Sequence, residues 1–157
     1  MAPPAGVSYG AQGVANWDRT VGPRDPQTKA ADLPAWHKSL FMPAAKQMAA
    51  LARFMDSIAF WTLRPRPQCI STQPGDTAPR RFIAAAGTEP NDLLLVYVPE
   101  AGTVDLCLKR LPTSPAVSWF NPRTGENHAA VAVLAPGTCQ FPTPDPGDWL
   151  LVLRAGR

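Results

Sequence analysis

The sequence predicts a mainly β protein, an antiparallel β-sandwich of about 6–8 strands preceded by a short helical segment. Three observations lead there. Beyond Pro67, six short apolar runs succeed one another, divided by Gly, Pro, Asn and Asp, with no helical period among them. The 19 prolines exceed twice the usual ~5% share, and most fall between apolar runs, where rigid connections suit short strands better than a helical bundle. Apolar spacing of three and four residues is confined to the chain before Pro65.

In chain order, Val7-Ser8-Tyr9 reads as a short strand, and the stretch 10–27, rich in glycine, proline and asparagine, as a loop. Residues 32–61 read as helical, because Ala44, Met48, Leu51, Met55 and Ile58 recur at helical spacing and Ala45 and Ala52 widen the stripe. Pro43 suits the first turn of that helix. Asp32 stands where an N-cap belongs for a shorter segment over 33–40, with Pro34 again early. Such a stripe must be buried, either on a face of the sandwich or on a domain beyond it. The helical period stops at Pro65-Arg66-Pro67, which divides the chain into an N-terminal loop and helical segment, 1–66, and a β-sandwich domain, 67–157.

The strands expected in the second part are 81–86, 93–98, 103–108, 116–120, 129–134 and 149–153. In 103–108, Val104, Leu106 and Leu108 alternate with Thr103 and Asp105, the pattern of one buried face. The run Leu93-Leu94-Leu95-Val96-Tyr97-Val98 is apolar on both faces, as a central strand covered on both sides would be. Between these two strands, Pro99-Glu100-Ala101-Gly102 reads as a hairpin loop.

Several classes of function find no support. A net charge of +3 with scattered basic residues offers no nucleic-acid footprint. Met1-Ala2-Pro3-Pro4-Ala5-Gly6 has neither the basic start nor the apolar core of a signal peptide, and no apolar run approaches the ~20 residues of a membrane span. The expectation is a soluble chain with no membrane partner. Cys69, Cys107 and Cys139 are odd in number and widely spaced, without a Cys-x-x-Cys, and His37 and His128 lie far from them. No metal site and no cofactor are therefore expected. The thiols read as three half-buried cysteines of a reducing compartment, or as one disulfide and a leftover thiol in an exported protein.

The segment Ser118-Trp119-Phe120-Asn121-Pro122-Arg123-Thr124-Gly125 joins a strand to a turn in which Gly125 supplies a positive φ. Trp119 reads as a core residue more readily than as a sugar platform, and Trp149, aligned with Leu151 and Leu153, reads the same way. Asp148 suits a carboxylate accepting backbone hydrogen bonds. Asp145-Pro146-Gly147-Asp148 is acidic but lacks the alternating oxygen ligands of a calcium loop. Glu89, Asp92, Glu100, Asp105 and Glu126 fall in or near turns, where solvated carboxylates are the rule, and no facing pair is identified. The Gly-x-Ser-x-Gly elbow is absent too, so no catalytic residues are assigned.

The order Tyr9-Gly10-Ala11-Gln12-Gly13-Val14, Trp36-His37-Lys38-Ser39-Leu40, Pro43-Ala44-Ala45-Lys46-Gln47-Met48 and Phe60-Trp61-Thr62-Leu63-Arg64-Pro65 resembles the end of the barrel in apiosidase-like glycoside hydrolases. The remainder of the chain resembles their C-terminal collagen-binding domain of a collagenase. The elements that carry this are Phe82-Ile83-Ala84-Ala85-Ala86, Leu95-Val96-Tyr97-Val98-Pro99, Trp119 to Gly125, Phe141-Pro142-Thr143-Pro144 and Asp148-Trp149. The resemblance implies that residues 7–9 correspond to the eighth barrel strand and that the helix over 44–58 packs against the barrel and the sandwich. It also implies that the catalytic carboxylates belong to earlier strands, absent from this chain. Family members carry a tryptophan soon after the position of Val14, where this chain has Ala15-Asn16-Trp17.

The resulting expectation is a non-catalytic glycoside-hydrolase-associated module that binds carbohydrate or collagen, or packs on a barrel. A self-association module, or a fragment or subunit of a split hydrolase, stands as the alternative. A small enzyme with its own unrecognised site is a third. Candidate binding residues are Tyr9, Gln12, Trp17, Trp36, Phe120 and Arg123; Trp119, Trp149 and Tyr97 are expected in the core. The expected partners are a polysaccharide or extracellular-matrix polymer, a barrel domain, or a second copy.

Overall fold

The computed structural model describes residues 34–156. The chain falls into two compact units, Met1–Ala52 and Arg53–Arg157. In the first, a short helix α1 (Trp36–Ser39) precedes α2 (Pro43–Asp56), which runs on into the second unit. Pro43 opens α2, as its fixed φ and missing N–H suit a first helical turn. Ala35 stands at the N-cap of α1 with no side-chain hydrogen bond. Asp32, the expected cap, lies outside the described residues, as does the expected strand at 7–9.

The expected helix over 32–61 is thus interrupted at residues 40–42, and beyond α2 the chain tightens into a single 3-10 turn, Phe60–Thr62. Its buried row also differs from the expected stripe. Ala44 is exposed. The buried positions are Ala50, Phe54 and Ile58, a four-residue row that Met55 only flanks.

The second unit is built from nine strands among the described residues: β1 (Arg64–Pro65), β2 (Ala84–Gly87), β3 (Leu93–Val98), β4 (Thr103–Cys107), β5 (Ala116–Phe120), β6 (Asn127–Ala129), β7 (Val133–Ala135), β8 (Thr138–Pro142) and β9 (Trp149–Arg154). They form a six-stranded sheet in the order β1-β2-β3-β9-β5-β6 and a three-stranded sheet in the order β4-β8-β7. All pairings are antiparallel. The mainly β class is as expected. The count exceeds eight because β1, a two-residue strand, and β8 fall outside the expected runs and because the run 129–134 is divided between two elements. Its start ends β6 in the larger sheet, and its end begins β7 in the smaller one.

Other boundaries move for local reasons. The run 81–86 starts as a 3-10 turn at Pro79–Arg81, and its strand begins only at Ala84. At the other end of 103–108, Val104 and Leu106 are fully buried, but Leu108 opens a 3-10 turn and is 40% exposed. The largest correction concerns 99–102, which is no hairpin. β2 and β9 occupy both edges of β3, so β4 has no place beside it and crosses to the other sheet. Thr143 holds this crossing through its N–H to the Gly102 carbonyl at 2.9 Å and its hydroxyl, which accepts from the Gly102 N–H at 3.0 Å.

Between the sheets lies the main core, with Leu94, Val96 and Val98 of β3, Trp149, Leu151 and Leu153 of β9 and Trp119 of β5 facing Val104, Leu106, Cys139 and Phe141. The alternate residues of β3 and β9, Leu93, Leu95 and Val152, point to the other face of the larger sheet and join Phe120, Phe54 and Ile58 in a second cluster. β3 is therefore covered on both faces along most of its length, which accounts for its continuous apolar run.

Candidate functional site

At one end of the larger sheet, the loop after β5 meets the loop before β9, and Arg123 joins them. The turn 121–126 closes through Asn121 N–H to the Glu126 carbonyl and Gly125 N–H to the Asn121 carbonyl, both at 2.8 Å. Gly125 has φ 83°, where a side chain would be strained. The buried Asn121 turns its Oδ1 inward to accept from Arg123 N and Nε at 3.0 and 3.1 Å, which fixes the guanidinium.

From there Arg123 Nη1 donates to the Pro146 carbonyl at 3.0 Å and Nη2 to Asp145 Oδ1 at 2.9 Å, with Asp148 Oδ1 3.5 Å from Nε. Its Cζ lies 5.3 Å from the centroid of Trp149, a cation–π contact. Trp149 Nε1 donates back to Asp145, at 3.2 Å to its carbonyl and 3.1 Å to its carboxylate. Gly147, at φ 123°, lets the chain pass under the guanidinium, because a Cβ there would collide with Nη1. The Tyr97 hydroxyl donates to Asp148 Oδ2 at 3.2 Å. His128 stands edge-on to Trp149 at 5.0 Å.

The electrostatics of this clasp favour an ionised Asp145. The hydrogen bond from Arg123 holds the Asp145 carboxyl below its ordinary range, with Trp149 N–H and the guanidinium charge acting the same way. A catalytic general acid needs the opposite shift. Burial first, and then the Asp148 charge and hydrogen bond, push the Tyr97 phenol above its usual value. Among the described residues, no group of three or more His, Cys, Asp or Glu is placed to hold a metal ion.

A second feature lies along the β1–β2 edge. Leu63, Arg64, Pro65, Pro67, Phe82 and the alanines 84–86 line an open cavity of about 400 Å³. Another, of about 480 Å³, lies by Ile58, Asp92 and Arg154, where Thr88 hydrogen-bonds Asp92.

The sequence profile of the family described as "Putative collagen-binding domain of a collagenase" matches residues 65–154. The chain belongs to this family. The profile of "Apiosidase-like, catalytic domain" matches residues 1–62. No curated protein matches the sequence. Among solved structures, one titled "Glycoside hydrolase" is 18% identical with a TM-score of 0.67, covering 84% of this chain and 30% of its own. A glycoside hydrolase family 5 protein from Bacteroides vulgatus is 20% identical with a TM-score of 0.65, covering 83% of this chain and 27% of its own. The chain thus spans under a third of the length of these two structures, and at such identity the likeness is one of fold.

The segment matched by the collagen-binding-domain family holds the clasp and, apart from Leu63 and Arg64, the lining of the β1–β2 cavity. Of the residues singled out in the sequence, Arg123 stands at the centre of the clasp, while Trp119 and Trp149 are 1% and 0% exposed beneath it. Phe120, expected at a binding surface, is instead buried. Its strand position turns it to the face opposite Trp119, and its ring packs on Phe54 at 4.6 Å. Tyr97, expected in the core, is 40% exposed, because among the described residues the cluster around Phe54 and Ile58 covers Leu93 and Leu95 on its side of β3 and stops short of it. Asp148 binds side chains, Tyr97 and Arg123, rather than backbone. Trp36 is half-buried in the first unit, edge-on to His37. Tyr9, Gln12 and Trp17 lie outside the described residues. In the sequence, Asp145 reads only as part of an acidic loop, although its four-residue distance from Trp149 signals the contact they make.

Proposed function

We propose that this chain is a non-catalytic, glycoside-hydrolase-associated β-sandwich module that binds a matrix polymer, carbohydrate or collagen. The observation that carries this reading is the membership of residues 65–154 in a family described by collagen binding. The clasp supports it, since its two aspartates are committed to one arginine and Asp145 is held ionised. In this reading the module begins near Arg53 rather than at residue 67, because Phe54 and Ile58 pack on the larger sheet and β1 pairs with β2. The test is retention of the full chain on immobilised collagen, gelatin and neutral polysaccharides, with aryl glycosides assayed in parallel. Retention on at least one polymer without hydrolysis supports the reading; no retention on any of them, or hydrolysis lost with a single carboxylate, overturns it.

A second reading, packing on a barrel as part of a hydrolase, is favoured by one observation. The match to an apiosidase-like catalytic domain ends at residue 62, and beside that end Phe60 and Trp61 are 49% and 69% exposed. Co-expression with a polypeptide carrying earlier barrel strands would yield a stable complex; a chain that stays alone would count against it. Self-association is separated from both by light scattering, which would report a dimer.

A further inference from the structure

Among the described residues, only part of the face of the larger sheet that points away from the smaller one is covered. Leu93, Leu95, Phe120 and Val152 lie under Phe54 and Ile58. Beyond them, the register pairs Ala84 with Tyr97 and Ala86 with Leu95, which puts both alanines on the same outward face as the tyrosine. Ile83 points inward to the core, so Phe82 also turns outward. Phe82 is 53% exposed and Tyr97 40%. Ala84 lies directly across from Tyr97 and two residues from Phe82, and the cavity of about 400 Å³ beside Phe82 runs on along Ala86 toward Leu63 and Pro65. Two exposed aromatic rings thus border Ala84 at one end of a strip of small side chains.

Polar groups adjoin this strip in fixed positions. The Tyr97 hydroxyl is held on Asp148 at 3.2 Å, and Asp148 on Arg123 at 3.5 Å. Aromatic faces accept the C–H face of a pyranose ring, and a carboxylate and phenol beside them accept and donate to its hydroxyls. Arg123 faces both Asp145 and Asp148, so one cation meets two carboxylates and the excess negative charge at this end of the strip disfavours a polyanionic ligand. A protein surface laid over it would desolvate the Arg123–Asp148 ion pair, at a cost that a hydrated glycan avoids.

We propose that Phe82 and Tyr97 form an aromatic platform for a neutral polysaccharide, whose sugar rings stack across β2 and β3 while Asp148 and the Tyr97 hydroxyl bind its hydroxyl groups. The proposal rests on the polymer-binding reading above and narrows it to one ligand class and one face. Since Tyr97 is held in β3 and by its hydrogen bond to Asp148, and Phe82 is fixed at the end of the 3-10 turn Pro79–Arg81, little ordering is needed on binding.

The test is affinity electrophoresis of the full chain in gels containing xyloglucan, arabinoxylan or glucomannan, with polygalacturonate and gelatin as the charged and protein arms. Tyr97→Ala and Phe82→Ala are each expected to weaken binding to the retained neutral glycan about tenfold, while Tyr97→Phe stays within about threefold. Thermal midpoints accompany each variant. Should either alanine variant unfold, Ala84→Arg, at an exposed position, blocks the strip without removing packing and is expected to abolish retention. Undiminished glycan binding by folded Tyr97→Ala, Phe82→Ala or Ala84→Arg overturns the platform and leaves the polymer-binding reading standing. Retention by gelatin or polygalacturonate alone overturns the ligand class. No retention in any arm removes the platform, and if immobilised collagen also fails to retain the chain, the broader reading falls with it.

Discussion

Trp119 and Trp149 meet edge to face at 6.2 Å in the core, yet their indole N–H groups have opposite fates. Trp149 Nε1 donates to Asp145, whereas Trp119 Nε1 is buried without a partner among the described residues. An unsatisfied buried donor has already lost its hydration, so replacing its ring by phenyl gives up volume but no hydrogen bond. Trp149→Phe is therefore expected to destabilise the fold by about 1–2 kcal/mol more than Trp119→Phe, as measured by urea unfolding. A second expectation concerns Asp145. Its native pKa is lowered by Arg123, so the pair contributes stability at pH values above the ordinary ~3.9 of an aspartate and loses it as pH falls through the native value. The gap in thermal midpoint between wild type and Arg123→Gln is expected to narrow as the pH drops below about 4; a gap that stays constant would mean that the pair contributes nothing to it. The turn around Gly125 was legible because its chemistry is local. The exposure of Tyr97 was not, because nothing in a run of six apolar residues says which of them lies beyond the covering layer.

Helix α2 shows how far a periodic pattern reaches. Its spacing announces a buried stripe, but Phe54, which lies outside that stripe, makes the contact with Phe120. Alanine-rich helices leave several rows nearly equivalent, and the row that meets the sheet is the one that places an aromatic over β5 and β9. Phe54→Ala is expected to cost about 3 kcal/mol, while leaving the near-ultraviolet signal of the Trp119–Trp149 core native in the folded state. A cost below about 1 kcal/mol would show that the helix end does not anchor on the sheet. The strands 93–98, 116–120 and 149–153 were legible as strands, since each is a short, continuous or alternating apolar run. Their partners were not. The connection 99–102 has good turn residues, and it leads across the sandwich only because β9, from the far end of the chain, takes the edge that β4 would have used.

Across the whole sandwich, the three cysteines are free and report its packing. Cys69 and Cys139 are buried in the main core, and burial pushes both thiols above their usual pKa, whereas Cys107 is only half-buried. One thiol of the three is expected to react with a disulfide reagent in the native state, and the other two only on global unfolding. Rapid reaction of all three would mean that the sheets separate readily. Short apolar runs, proline-rich connections and a switch from helical to alternating period made the mainly β class readable, because these signals depend on neighbours along the chain. The closing of β9 between β3 and β5, the partly covered outer face and the meeting of Tyr97, Arg123 and Asp148 came only with the tertiary structure. Those three side chains come from separate parts of the chain, and what brings them together is strand register, a long-range hydrogen-bonding choice that no local pattern encodes.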